Sequence, residues 1–391
     1  MRDVATARGA MQTPEHLGAI DALRGYAILM VIGVHTLPFV PDLAWPAKRL
    51  LLLGVYGVQL FFLASAVTLM MSWSRSKQAL PARCRTFYLH RVLRIAPLYF
   101  LAIAFYWLVN RRSAADFSAS VLSATLLFYN AWSPYFIRTV PGWTPVPGGW
   151  SIGVEFCFYF IFPVLAMSLT TLRRSACSVL LALLVLVAGA QLGAGLYPEL
   201  SAEQRANFLY FWPPNHLIVF ALGCLLYHLL HLPSLRALVA TRRIGSNGAS
   251  VALLLALWAL SLYGMRKQFD WAHGLPPTHV LITLCFMPWA LVLILKGGRV
   301  LVNRAIVAFG KVSFSIYILH FAVLELADAI LRRSWSLPAT GIWSLAYEFG
   351  LLVLTCAISF ALAKLTYRYI EKPGIDLSRS LTRGRTVTLA A

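Results

Sequence analysis

The chain has 391 residues, of which 59% are hydrophobic and 12% charged. A soluble globular protein carries about 25% charged residues, so this composition excludes one and indicates a polytopic membrane protein. The net charge of +20 does not indicate nucleic-acid binding, because Lys and Arg sit in short stretches between apolar runs, as a positive-inside bias requires.

Residues 1–16 are polar, and no small-residue cleavage site follows the first apolar run. That pattern reads as a retained anchor with a cytoplasmic N-terminus. The run itself, Leu17 to Phe39, carries Asp21, Arg24 and His35. An ionisable side chain in hydrocarbon costs at least a few kcal/mol, so the three mark a candidate site. Arg24 and His35 are eleven residues apart, which is three helical turns plus roughly 20°, so they share one face about 16 Å apart along the axis. Asp21 is spaced to pair with Arg24.

Further runs long enough to span lie near 50–73, 94–110, 150–170, 175–195, 212–231, 248–264, 278–296, 309–331 and 343–370, giving ten helices. Ala119 to Trp132 is too short to span and reads as a re-entrant or interfacial helix between the third and fourth. With ten spans the excess of Lys and Arg falls on the cytoplasmic side, and counting the short segment as a span reverses it. The expected fold is therefore an all-α polytopic membrane protein with both termini in the cytoplasm. Its transmembrane domain covers 17–375, and a mobile basic tail covers 376–391, with Pro373 and Gly374 ending the last helix.

The inner loop expected from Arg75 to Arg94 is the most basic part of the chain and contains no acid. Its cations, among them Arg91 and Arg94, suit a polyanionic cytosolic ligand or anionic lipid headgroups. After a Pro- and Gly-rich connection, GWSIGVEFCFYF opens the fourth span with Trp150 and with Ser151, Glu155 and Tyr159 four residues apart on one face. Glu155 needs a cationic or hydrogen-bonding partner at that depth. His35 lies near the same membrane boundary, so Glu155 is expected to accept from one imidazole nitrogen and leave the other as a base. GWSIG also matches G-x-S-x-G, but that motif works on a strand-to-helix turn, so Ser151 reads as a capping or lining residue. In the ninth span Ser313, Tyr317 and His320 share a face. His320 is expected near mid-depth, as a site group or as a structural hydrogen-bonder. The six cysteines show no zinc-ligand spacing, and no metal is expected.

Taken together, IDALRGYAILMVIGVH, YGVQLFFLASAV, FYLHRVLRIAPLYF, GGWSIGVEFCFYF, VFALG, SFSIYILH and YRYIEKP resemble, in order, the membrane-bound acyltransferase 3 family. The resemblance implies transfer of an acyl group, often acetyl, from cytosolic acyl-CoA to a hydroxyl of an extracytoplasmic saccharide such as O-antigen or exopolysaccharide, in a bacterial inner membrane. Acyl-CoA would be a co-substrate, with no bound cofactor. The family's functional Arg and His fall on Arg24 and His35, its glutamate on Glu155 and its Y-x-x-H histidine on His320. Two positions depart from the family pattern: Ser65-Ala66 replaces Ser-Gly, and Asn215 with His216 stand where many members carry arginine.

The resulting expectation makes His35 and Glu155 catalytic and gives acyl-CoA binding to Arg24, His320, Tyr317, Arg91 and Arg94. Asp21, Trp150, Ser151 and Ser313 support them. Expected partners are acyl-CoA, a saccharide acceptor and membrane lipids, with self-association left open. The alternative is a proton-coupled transporter with Arg24, His35, Glu155 and His320 as its relay, although no internal repeat of the transporter kind is found.

Overall fold

A computed structural model of the chain describes residues 14–110, 146–196, 201, 209–241, 245–264, 277–298, 300–334 and 340–383. Among them there are helices and no strands, which is what a chain in hydrocarbon must do when every backbone group needs an internal partner. The first four helices are α1 (Pro14–Thr36), α2 (Trp45–Leu52), α3 (Gly57–Arg75) and α4 (Leu80–Asn110). They are followed by α5 (Trp150–Ser168), α6 (Leu172–Leu196), α7 (Pro213–Leu230), α8 (Pro233–Thr241) and α9 (Ser246–Gly264). The chain continues through α10 (Thr278–Lys296), α11 (Arg304–Lys311), α12 (Ser313–Ser334), α13 (Ile342–Thr366) and α14 (Lys372–Arg383). Among the described residues 9 helices are long and apolar enough to cross a membrane, or 10 if α8 and α9, bent by 98°, count as one span. The protein is an all-α polytopic membrane protein. The short helix expected over Ala119 to Trp132 lies outside the described residues.

The bundle is organised around α1, which packs against α3, α10, α11, α12 and α13. Its contact with α11 is backbone on backbone: a Cβ at Gly310 would lie 1.7 Å from the Asp21 carbonyl oxygen, and one at Gly25 would lie 2.3 Å from that of Ile306. Only glycine permits this approach. It fixes the stretch of α1 that carries Asp21 and Arg24. On the periphery, Leu180, Leu181 and Leu184 of α6 and Leu254 and Leu255 of α9 are more than half exposed, the outward apolar surface that bilayer hydrocarbon covers.

Two expectations are corrected. The basic stretch from Arg75 to Arg94 is mostly helical, since α4 starts at Leu80, so Arg91 and Arg94 project from a helix into the protein and not from a loop. Pro373 and Gly374 do not end the last helix. A π-helical turn over Tyr367–Glu371 precedes α14, and the boundary drawn at 375 falls inside that helix. The helix runs on through the π turn, in which the Lys372 N–H bonds to the Tyr367 carbonyl five residues back, and this shift of register accommodates a proline that has no N–H to give.

Candidate active site

Arg24 leaves α1 toward α3, where its Nη2 donates to Thr68 Oγ1 at 2.9 Å. Its Nη1 lies 3.6 Å from Asp21 Oδ1. Arg91 and Arg94, one turn apart on α4, line the same cavity as Arg24. Glu155 of α5 accepts from Ser65 Oγ of α3 at 2.5 Å, and its charge acts on both Arg24 and Arg91. Tyr159, the next turn of α5, interacts with Glu155 and Arg91.

These groups enclose a cavity of about 90 Å³, walled also by Ser151, Ser313, Phe314 and Tyr317. Three guanidinium groups face one carboxylate across it. Unscreened by bulk water, such an excess of positive charge attracts an anion strongly, and guanidinium groups match phosphate oxygens two at a time. Tyr317 forms part of the cavity wall.

That wall is a small hydrogen-bonded latch. Ser151 Oγ donates to the Tyr317 hydroxyl at 2.8 Å, and the Tyr317 hydroxyl donates to the Gly148 carbonyl at 2.9 Å. Gly148 has a φ of +75°, and a Cβ there would stand 3.0 Å from the Tyr317 hydroxyl. Both its conformation and the closeness of the ring require glycine.

Beyond the latch stand the two histidines. His320 Nδ1 lies 2.7 Å from the Tyr317 carbonyl, and His35 Nδ1 lies 2.8 Å from the Val31 carbonyl. Carbonyl oxygens only accept, so each Nδ1 carries the proton. His320 Nε2 then holds a lone pair, and it faces His35 Nδ1 at 3.2 Å. The consequence is that His35 Nε2 is also a lone pair. His320 is fully buried, whereas His35 is only partly so. Phe321 packs on both rings, at 4.5 and 4.2 Å between centroids.

Of the residues singled out from sequence, Arg24, Arg91, Arg94, Ser151, Glu155, Ser313 and Tyr317 line one cavity. Asp21 supports Arg24. Trp150 turns away from that cavity and packs on Tyr210, Phe211 and His216. The expected bond between Glu155 and His35 is not made: Glu155 belongs to the cationic cavity, and His35 takes His320 as its partner. His320 therefore does not sit at an intermediate level between Arg24 and His35. Depth counted along one helix assumes that neighbouring helices start level and run parallel, and spacing encodes neither.

Sequence reasoning missed Ser65 and Thr68 as partners of Glu155 and Arg24. It also missed two buried acids: Glu348 accepts from Thr36 Oγ1 at 2.5 Å beside His35, and Glu371 accepts from Ser315 Oγ. The signal was available. Glu348 interrupts an apolar run in the same way as Glu155 and falls under the same argument about charge in hydrocarbon. At the Ser65-Ala66 departure, the methyl group of Ala66 packs against Gly223 of α7.

A helical bundle in which cations and a lone-pair histidine stand on either side of a tyrosine suits group transfer from an anionic donor. The family model described as an acyltransferase domain matches residues 17–364. The chain belongs to the acyltransferase 3 family. Among its relatives is acyltransferase MdmB of Streptomyces mycarofaciens, 26% identical, the alignment covering 96% of this chain and 95% of that one. O-acetyltransferase OatA of Staphylococcus aureus is 22% identical over 93% of this chain. The putative peptidoglycan O-acetyltransferase YrhL of Bacillus subtilis is 24% identical over 93% of it. The alignments span 58% and 55% of those two relatives, so this chain corresponds to little more than half of each. No solved structure matches the chain. The protein is a membrane acyltransferase.

Proposed function

We propose that the protein moves an acetyl group from cytosolic acetyl-CoA to a saccharide hydroxyl on the far side of a bacterial inner membrane, with both termini in the cytoplasm. The observation that carries this reading is the order of groups along the bundle: guanidinium cavity, tyrosine latch, histidine lone pair. Arg24, Arg91 and Arg94 hold phosphate oxygens or the thioester end of the donor. Opening of the Tyr317 latch brings the thioester carbonyl to His35. The acceptor hydroxyl attacks the carbonyl carbon as His35 Nε2 takes its proton. The new C–O bond forms, the C–S bond breaks, and the CoA thiolate leaves with a proton from the imidazolium. His35 Nδ1–H is shared between the Val31 carbonyl and His320 Nε2 throughout, keeping the reactive nitrogen aimed. Positioned base catalysis contributes about 10²–10⁴-fold; on an already activated thioester, proximity supplies much of the rest.

Glu155 acts as the counter-charge that keeps three cations together and has no part in the proton transfer. The test is to incubate purified protein with labelled acetyl-CoA and saccharide acceptors, and to compare the mass of surface glycans with and without the gene. Label in the glycan that depends on the protein supports the reading. Movement of glycan or protons across vesicles without consumption of acetyl-CoA would replace it with transport.

A further inference from the structure

A second polar cluster lies outside the cavity just described. It is built from the first turns of α3, α7 and α10 and from Trp150 at the start of α5, helices that all begin at the end of the bundle where α1 delivers His35. Gln59 is fully buried, and Asn215, His216 and His279 are 1–2% exposed. The His216 and His279 rings stand 5.8 Å apart, and the rings of Trp150 and Phe62 each lie 5.5 Å from His216.

Several of these polar atoms have nothing to bond. Gln59 lies within reach of the Tyr210 hydroxyl, and neither its Oε1 nor its Nε2 makes a hydrogen bond of ordinary geometry. Asn215 Nδ2 donates to the Leu209 carbonyl at 2.6 Å and leaves Oδ1 unpaired. His216 Nε2 donates to the Tyr210 carbonyl at 2.6 Å, which leaves an unpaired lone pair on Nδ1. Buried polar atoms are nearly always paired, and each orphan in a native fold calls for an explanation. Here four orphaned atoms occur on three neighbouring side chains.

We propose that this cluster is a subsite for an uncharged polyhydroxylated group, such as one neutral sugar ring of the acceptor. An amide N–H₂, two amide oxygens and an imidazole lone pair offer donors and acceptors side by side, which is what a hydroxyl group needs on both counts. Among the described residues no Asp, Glu, Lys or Arg acts on His216, so a charged sugar would lose its hydration there without a counter-charge. Aromatic faces flank the cluster through Trp150, Tyr210 and Phe62. Its position fits as well: Phe62 has His216 on one side and the guanidinium cavity on the other, and Trp150 adjoins the latch residue Ser151. The purpose of the subsite rests on the acyl-transfer reading, while its ligand chemistry does not.

The test is binding of methyl α-glucoside, methyl α-galactoside, methyl α-rhamnoside and methyl α-glucuronide to the full chain in lipid nanodiscs, read by saturation-transfer NMR. At least one neutral glycoside should bind, at least tenfold more tightly than the glucuronide. Gln59→Leu and Asn215→Leu should each weaken it at least tenfold. Gln59→Leu replaces orphaned polar atoms by apolar ones of similar size, so its thermal melting should hold or rise; Asn215→Leu also removes the bond to the Leu209 carbonyl, so its melting should fall, and Gln59→Met serves as a second probe if it does not fold. Absence of neutral glycoside binding overturns the proposal, as does equal binding of the glucuronide. Binding indifferent to all the substitutions overturns it too, and means that the cluster holds only water. Acetyl-CoA turnover on the same samples separates the two readings: glycoside binding without turnover sinks acyl transfer alone, and turnover without glycoside binding sinks the subsite alone.

Discussion

The described residues include two histidine pairs at the same end of the bundle, and the proposals above give them different work. In both, ring nitrogens donate to backbone carbonyls, which fixes the tautomers. In the His35–His320 pair one ring aims the other, and the outer ring is only partly buried. In the His216–His279 pair both rings are buried, and they stand among amides and aromatic rings. An imidazole becomes a base when its lone pair meets substrate and its other nitrogen is held. Buried beside amides and aromatic rings, the same ring is proposed above to serve recognition.

The comparison breaks most readily at His35. His35→Ala should lower kcat for acetyl transfer by about 10²–10⁴-fold, the usual contribution of a positioned base, with acetyl-CoA binding unchanged in an equilibrium assay. The His216 pair sharpens the contrast, because damage there should appear in the acceptor KM and leave kcat nearly intact. His320→Ala should cost about 10–100-fold in kcat, as loss of an orienting partner does at other histidine sites, and should leave the donor KM unchanged.

Arg24→Ala addresses the other side of the latch. Hydrogen bonds to charged groups contribute about 1.5–3 kcal/mol, so the KM for acetyl-CoA should rise by about 10–100-fold in steady-state kinetics. Smaller effects belong to the latch itself. Gly148→Ala places a Cβ at a positive φ, costing about 1–2 kcal/mol, and should lower the melting temperature along with activity. Tyr317→Phe removes a hydroxyl whose bonds contribute about 0.5–1.5 kcal/mol each. A change of no more than about tenfold in turnover is expected, which separates a latch from a reacting group.

Much of this arrangement is legible in the sequence. Apolar run lengths gave the helices, and the spacing of Asp21 and Arg24 allowed the contact they make. The cost of charge in hydrocarbon pointed to Arg24, His35 and Glu155. The pairing between helices is not legible. Glu155 and His35 were matched by counting rise along separate helices, and the count could not register how α5 and α12 tilt against α1. Arg91 and Arg94 were read as loop cations because a basic run resembles a loop, whereas α4 carries them inward on one face. Polar residues such as Ser65, Thr68 and Gln59 carry no charge signal, and only packing reveals what they touch.

The central claim, that His35 and His320 act as one unit, is tested most directly by a double-mutant cycle on acetyl transfer. Residues that work as a unit give strongly non-additive losses. If the pair is one device, adding His320→Ala to His35→Ala should cost no more than about a further twofold, because the orienting residue has nothing left to orient. Full multiplication of the two single losses in the double variant, or wild-type turnover in His35→Ala, would contradict the account.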